Sequence, residues 1–103
     1  MPHQHHNILI RLVDGVRVQA DPSPVMHVGD TVSFSSPDGK VRVVYPAGSP
    51  YAISEIHNAH VHSLQKPGTF EYLCFITPTG KTHEIGWSLK NPLAGGETKV
   101  LEV

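Results

Sequence analysis

The side chains best suited to chemistry in this 103-residue chain are its eight histidines. Three of them, His57, His60 and His62, fall in the stretch HNAHVH. If residues 60–62 form a strand, His60 and His62 point to the same face, with Cα atoms about 6.6 Å apart. Two imidazoles at that spacing can converge on one copper or zinc ion, and His57 could reach it from the preceding turn. The spacing therefore predicts a transition-metal site.

Two further candidate ligands lie downstream of this histidine group. Cys74 is the only cysteine of the chain, and His83 follows it by nine residues. Thiolate and imidazole are both typical copper and zinc ligands. The alternative is that the histidines are surface side chains making ordinary hydrogen bonds, because H-x-H is short and common. Cys74 would then pack as a small apolar residue.

The N-terminal histidines, His3, His5 and His6, are expected to lie in a flexible tail formed by residues 1–6. Such a tail can bind transition metals only weakly. A dedicated N-terminal copper chelate needs the backbone amide of residue 2, and Pro2 has none. We therefore expect this tail to stand apart from the folded domain.

Composition excludes several classes of function. The net charge is −1 and the basic residues are scattered, so nucleic acid is not an expected partner. Apolar runs are too short to span a membrane. The sequence contains no recognisable set of a nucleophile, a base and an acid, so we do not expect the protein to be an enzyme. The expected partners are a transition-metal ion and a protein whose identity the sequence does not reveal.

The cellular compartment is left open by the sequence. A single cysteine permits no disulfide within the chain, so the redox environment is not indicated. The first residues contain no secretory signal. The protein is expected to be cytoplasmic if Met1 is the native start, and periplasmic if a signal peptide has been removed.

Short, alternating apolar segments separated by turns predict an all-β fold. Asp14-Gly15 predicts a two-residue hairpin, or else a bend between two sheets. Residues 51–59 are compatible with a short helical turn, and the turn-rich residues 77–96 with a short hairpin or a functional loop. The predicted strands are residues 7–13, 16–20, 31–36, 40–45, 60–64, 69–76 and 98–103. Their number and spacing predict a two-sheet antiparallel β-sandwich.

Two stretches resemble the cupredoxins, the plastocyanin and azurin family. VMHVGDTVSF is similar to a pair of strands in that family, and KPGTFEYLC is similar to its cysteine-bearing strand. In the second stretch Gly68, Phe70, Tyr72 and Cys74 are in register with the family pattern, and the resemblance covers residues 25–103. It implies an eight-stranded Greek-key sandwich and a type 1 copper site of two histidines, a cysteine thiolate and a weak axial methionine.

The other type 1 ligands are missing from their expected positions. Val41 and Arg42 occupy the place of the first histidine, and Thr77 that of the second. The only internal methionine, Met26, lies far upstream. Type 1 copper chemistry is therefore not carried over by the resemblance. Arg42 either faces outward and is solvated, or faces inward, where its guanidinium would favour an anionic partner such as Glu84 or a bound acid.

Together these observations predict one domain over residues 1–103, an all-β, Greek-key, two-sheet antiparallel β-sandwich similar to cupredoxins. We expect a binding or accessory domain without a type 1 copper centre, holding copper or zinc through histidines. The alternative is a metal-redox or electron-transfer protein with an atypical copper site. That site would use Cys74 and His83. Trp87 is expected to act as a lid or to fill the core.

Overall fold

The computed structural model describes residues 3–15, 17–88 and 94–102. These residues form ten strands and no helix, so the all-β prediction is confirmed for them. No helix in this part of the chain is long and apolar enough to cross a membrane. The strands are β1 (His5–Val13), β2 (Arg17–Ala20), β3 (Met26–His27), β4 (Thr31–Ser35), β5 (Gly39–Val44), β6 (Glu55–His57), β7 (His62–Ser63), β8 (Gly68–Pro78), β9 (Ile85–Gly86) and β10 (Gly95–Leu101).

The strands of the described ranges form two mixed sheets. The smaller sheet has the order β2-β1-β4-β7, and the larger has the order β3-β10-β8-β5-β6, with β9 also paired to β8. Two pairings are parallel, β1 with β4 and β3 with β10. The expectation of purely antiparallel sheets is therefore wrong at these two places. Parallel strands are joined by a long connection. The alternation of residues within one strand does not indicate the direction of the strand beside it.

The connection between β1 and β2 is the hairpin that Asp14-Gly15 predicts. Asp14 has a φ of 55° and Gly15 a φ of 71°. This left-handed conformation is open to glycine and is tolerated by aspartate. Val13 pairs with Arg17, so three residues rather than two lie between the paired positions. Val16, the predicted start of the returning strand, lies outside the described residues.

Strand β8 organises the larger sheet. One edge of β8 pairs with β5, and the other pairs first with β10 and then with β9. The predicted alternation is confirmed, because Tyr72, Cys74 and Ile76 are buried while Leu73 and Phe75 between them are only half-buried. The inner face of β8 therefore lies in the core, and its outer face is partly open to solvent.

Both sheets contribute side chains to one hydrophobic core. The rings of Phe34 and Tyr72 meet edge to face, with centroids 5.4 Å apart. The Tyr45 hydroxyl bonds to the hydroxyls of Thr98, at 2.8 Å, and Tyr51, at 3.1 Å, so these buried polar groups are paired. The Cα radius of gyration of 13.3 Å is that expected of one compact domain of this length. Other core residues are Ile8, Ile10, Val18, Met26, Val32, Val41, Val43, Ile56, Cys74, Ile76 and Val100.

The connecting segments differ in part from their predicted structures. Residues 51–59 contain bends, strand β6 and a turn, and not the helical turn considered for them. The stretch 77–96 contains β9, which pairs with β8 as a short hairpin would. Residues 89–93 of that stretch lie outside the described residues.

The flexible tail expected for residues 1–6 is wrong for residues 4–6, whereas residues 1–2 lie outside the described part. β1 begins at His5 and pairs in parallel with β4. Asp30, only 4% exposed, accepts hydrogen bonds from the Gln4 amide at 3.0 Å and from His6 Nε2 at 3.0 Å. A third donor is the His27 amide, at 3.1 Å. The buried Asp30 carboxylate therefore holds residues 4–6 in place, because it accepts hydrogen bonds from Gln4 and His6.

Candidate functional site on the outer face of the larger sheet

The predicted metal ligands lie in different parts of the fold. His57 is on β6 in the larger sheet, whereas His62 is on β7 in the smaller sheet. His60 precedes β7, so the same-face argument for His60 and His62 does not apply. Cys74 is in the core, and His83 lies in an exposed segment before β9. In the described ranges, no group of three or more His, Cys, Asp or Glu side chains is arranged to hold a metal ion.

His62 is half-buried beside Tyr51, with ring centroids 6.1 Å apart. Its Nε2 is buried and has no hydrogen-bond partner among the described residues. Burial lowers the pKa of His62 below its ordinary value, and the nearby His60 lowers it further. The structure therefore favours a neutral imidazole at this position.

Cys74 has no exposed surface and lies opposite Val43 in the core. Burial raises the pKa of its thiol to about 12. A thiol of that pKa is protonated at neutral pH and is a weak nucleophile. The side chain thus has the character of a small core residue.

The most highly organised polar group lies around Arg42, on the outer face of the larger sheet. Arg42 Nε donates to Glu84 Oε2 at 2.8 Å, and Nη2 donates to Glu84 Oε1 at 2.9 Å. Nη1 donates to Glu55 Oε1 at 3.0 Å. Glu55 in turn accepts from His57 Nε2 at 3.0 Å. Arg42 thus faces outward, and it pairs there with Glu84, the partner expected for the inward orientation.

The Arg42 guanidinium also packs on an aromatic ring. Its central carbon lies 4.3 Å from the centroid of the Phe75 ring. Phe75 pairs with Arg42 on β5 and with Gly86 on β9. A Cβ atom at Gly86 would overlap the Phe75 ring and the Cys74 carbonyl oxygen. Glycine at this position therefore lets β9 approach closely enough for the ring to lie across it.

Mutual attraction keeps Arg42, Glu55 and Glu84 charged. Hydrogen bonding to Glu84 is the main cause that raises the pKa of Arg42. Hydrogen bonding to Arg42 is the main cause that lowers the pKa of both Glu84 and Glu55. Arg42 is 29% exposed, so the group is partly shielded from solvent. Its geometry is a bidentate fork combined with a stacked ring, which holds long side chains in one conformation.

A groove on the same face of the sheet contains two glutamates. It has a volume of about 290 Å³ and is lined by Trp87, Leu73 and the main chain around Gly95 and Gly96. Its acidic wall is the pair Glu71 and Glu97. An adjoining cleft of about 260 Å³, which reaches Phe70 and Gly48, shares the same two glutamates.

Glu71 and Glu97 face each other directly across β8 and β10. Both are exposed, and neither takes part in an ion pair within the described ranges. Like charges directly opposite each other destabilise a sheet. Trp87, expected as a lid or core filler, is 39% exposed at the edge of the groove. The outer face therefore combines an exposed indole with two carboxylates that form no ion pair in the described ranges.

Sequence reasoning missed Phe75, Glu71 and Glu97 as site residues. The alternation of buried and exposed residues along β8 and β10 places these side chains on the outer face. Which side chains lie beside them depends on how the strands are paired, which the sequence does not reveal. No protein-family model and no curated protein matches the chain. The function must therefore be argued from the geometry of this face.

Proposed function

We propose that this chain is a cupredoxin-like binding domain, a Greek-key β-sandwich without a type 1 copper centre. It recognises a partner protein through the outer face of its larger sheet. Two sheets that share one core support the sandwich architecture. The resemblance around Gly68–Cys74 supports the family assignment, and the pairing of that segment with β5 and β10 agrees with a central strand.

The observation that carries this proposal is the Arg42 group. The family resemblance assigns the first copper-binding histidine to the region of Val41 and Arg42. Here an arginine held by Glu84 and Glu55 takes that place, with its guanidinium on the face of β5 opposite to the core-facing Cys74. A guanidinium has only hydrogen-bond donors and no free acceptor nitrogen, so it cannot replace a histidine as a metal ligand. A rigid surface of charges and aromatic rings, by contrast, is well suited to recognition, because little conformational entropy is lost on binding.

The unpaired glutamates indicate the chemistry of the partner. A guanidinium or ammonium group placed between Glu71 and Glu97 would relieve their mutual repulsion. The same cation could contact the face of Trp87, and tryptophan is the most favourable aromatic residue for such contacts. Partner residues that combine positive charge with apolar surface, arginine above all, are common at the centres of interfaces. The domain therefore binds a basic segment of another protein.

The experiment is an NMR titration with two short peptides of equal length, one rich in arginine and one rich in glutamate. The arginine peptide is expected to shift the Trp87 indole and the amides of Glu71 and Glu97. Trp87→Ala and the double change Glu71→Gln/Glu97→Gln should each weaken binding by about five- to tenfold. Val61→Ala and Glu102→Gln are matched controls, since both residues are exposed and neither lines the groove. Equal shifts by both peptides would contradict the proposal.

A second candidate function is the binding of copper or zinc through histidines. The observation that favours it is the buried, unpartnered Nε2 of His62, a potential ligand atom close to His60. Titration with Cu(II) and Zn(II) would compare the unaltered protein with His57→Ala, His60→Ala and His62→Ala. If all three variants bind both ions as the unaltered protein does, this candidate is wrong. Intense visible absorption lost in Cys74→Ala and His83→Ala would instead indicate the atypical thiolate site.

A further inference from the structure

A second cleft lies away from the Trp87 groove, where the turn between β4 and β5 meets the end of β8. It has a volume of about 480 Å³ and is lined by residues of both segments. This volume is within the range of small-molecule sites in proteins, roughly 300–1,000 Å³. Its polar side chains are those of Ser36, Lys40, Thr77, Thr79 and Lys81.

The cleft has an unbalanced positive charge. Lys40 and Lys81 are its charged lining residues, and neither forms an ion pair within the described part of the chain. No acidic residue lines the cleft in the described ranges. Two ammonium groups around one concave surface favour a ligand with more than one negative charge.

The nearest carboxylates along the chain are held elsewhere. Asp38, two residues before Lys40, accepts a hydrogen bond from the Leu12 amide through Oδ2 at 2.8 Å. Glu84, three residues after Lys81, is bound by both branches of the Arg42 fork. Within the described ranges, neither acid forms an ion pair with Lys40 or Lys81.

The polar lining is suited to an oxyanion. Thr77 pairs with Lys40 across β5 and β8, so both side chains project to the same side of the sheet. Thr79 and Ser36 both bond to the Asp38 backbone, Thr79 Oγ1 to its carbonyl at 3.4 Å and Ser36 Oγ to its amide at 3.0 Å. These contacts fix the turn that forms the wall of the cleft. Thr79 donates its hydroxyl proton to the Asp38 carbonyl, whereas Ser36 accepts from the Asp38 amide and keeps its own proton for a ligand.

We propose that this cleft binds the phosphate group of a small phosphorylated molecule. A phosphate dianion matches two lysine ammonium groups in charge, and the Ser36 hydroxyl, which accepts from the Asp38 amide, has a proton to donate to a phosphate oxygen. Lysine acts as a compact point charge for phosphate, without the planar fork that arginine uses. This site does not depend on the partner surface proposed above, because the two share no lining residue.

The test is an amide NMR titration with inorganic phosphate at constant ionic strength, with glucose 6-phosphate and citrate as parallel ligands. Both phosphates should give saturable shifts confined to the cleft, at Gly39, Thr79, Gly80 and Lys81, and citrate should bind more weakly. The double variant Lys40→Gln/Lys81→Gln should weaken phosphate binding by about tenfold.

The matched control is Lys66→Gln/Lys99→Gln, which removes two exposed lysines outside the cleft and should leave binding unchanged. Several results would overturn the proposal. These are the absence of saturable shifts with phosphate, equal binding by citrate, and full binding by the Lys40→Gln/Lys81→Gln variant with a native amide spectrum.

Discussion

The guanidinium carbon of Arg42 lies 4.3 Å from the centroid of the Phe75 ring. The two residues are cross-strand partners, Arg42 on β5 and Phe75 on β8. The same guanidinium forms a bidentate pair with Glu84, which is 42 residues away along the chain. One side chain therefore ties three strands and the segment before β9 into a single outer surface. Its energetic contribution should exceed that of an ordinary surface ion pair.

Replacing Arg42 should test this contribution directly. Arg42→Ala removes both ion pairs and the stacked ring contact, and should lower the free energy of unfolding by about 1–2 kcal/mol. Arg42→Lys keeps the charge but loses the fork, so we expect an intermediate loss. Urea denaturation would measure both. Arg17→Ala, which breaks one exposed pair with Asp14, is the control and should change stability by less than about 0.5 kcal/mol. Equal effects of Arg17→Ala and Arg42→Ala would refute the special role of Arg42.

The Asp30 carboxylate should make stability sensitive to acid. The Gln4 amide is the main cause that lowers its pKa, from an ordinary 3.8 to about 2; burial opposes this, while His6 and the His27 amide assist. Because the folded pKa is depressed, this group stabilises the fold above about pH 4, and the stabilisation disappears as the pH falls towards 2. Asp30→Asn should lower the free energy of unfolding at pH 7 by about 1–3 kcal/mol. It should also make the free energy of unfolding depend less on pH between about pH 2 and 4.

Chemical denaturation at a series of pH values would measure this effect. Asp14→Asn is the matched control, because the Asp14 side chain is 75% exposed. An acid limb in Asp30→Asn as steep as in the unaltered protein would show that Asp30 does not carry this pH dependence.

His62 should give a separate pH dependence near neutrality. Its pKa is lowered from an ordinary 6.5, chiefly by burial. The unfolded chain therefore takes up a proton at higher pH than the folded chain, so stability falls as the pH decreases below about 6.5. His62→Gln should reduce this decline, whereas His27→Gln, at an exposed site, should preserve it. Thermal unfolding between about pH 5 and 8 would measure the difference; identical profiles in His62→Gln and the unaltered protein would contradict it.

The Cys74 thiol should be protected until the core opens. Because burial raises its pKa to about 12, few thiolates form at neutral pH, and reagents cannot reach the sulfur. Labelling by a disulfide reagent at pH 8 should be at least about a hundredfold slower in the native protein than in denaturant. Kinetics of thiol release would measure both rates. Rapid labelling of a chain that retains its native amide spectrum would refute this burial.

The alternation of β8 and the β1–β2 hairpin were predictable because both depend on local chemistry. Tyr72, Cys74 and Ile76 recur at every second position, and Asp14-Gly15 accepts left-handed backbone. The pairing of β1 with β4 was not predictable, because its partners are far apart in sequence. The same limit applies to His57 and His62, five positions apart in sequence, which join different sheets because β6 pairs with β5 and β7 pairs with β4.

The candidate site was predictable only in fragments. Arg42 and Glu84 could be named as a pair from their charges, but the sheet face on which they meet is set by the neighbours of β5. The position of His6 depends on Asp30, an acceptor 24 residues further along the chain, and that of His5 on Thr31 and Ser33. The sequence shows which side chains can donate or accept hydrogen bonds. The register of strand pairing determines which of these side chains lie close enough to bond.

The pairing of β8 with β10 has a consequence for synthesis of the protein. While a ribosome has yet to produce residues 95–101, one edge of β8 cannot be covered by its later partner, although the segment is already rich in aromatic and branched side chains. Open edges of this kind recruit other chains, so the nascent polypeptide is most vulnerable to aggregation in this interval. A chaperone that shields extended apolar segments would be expected to raise the yield of native protein.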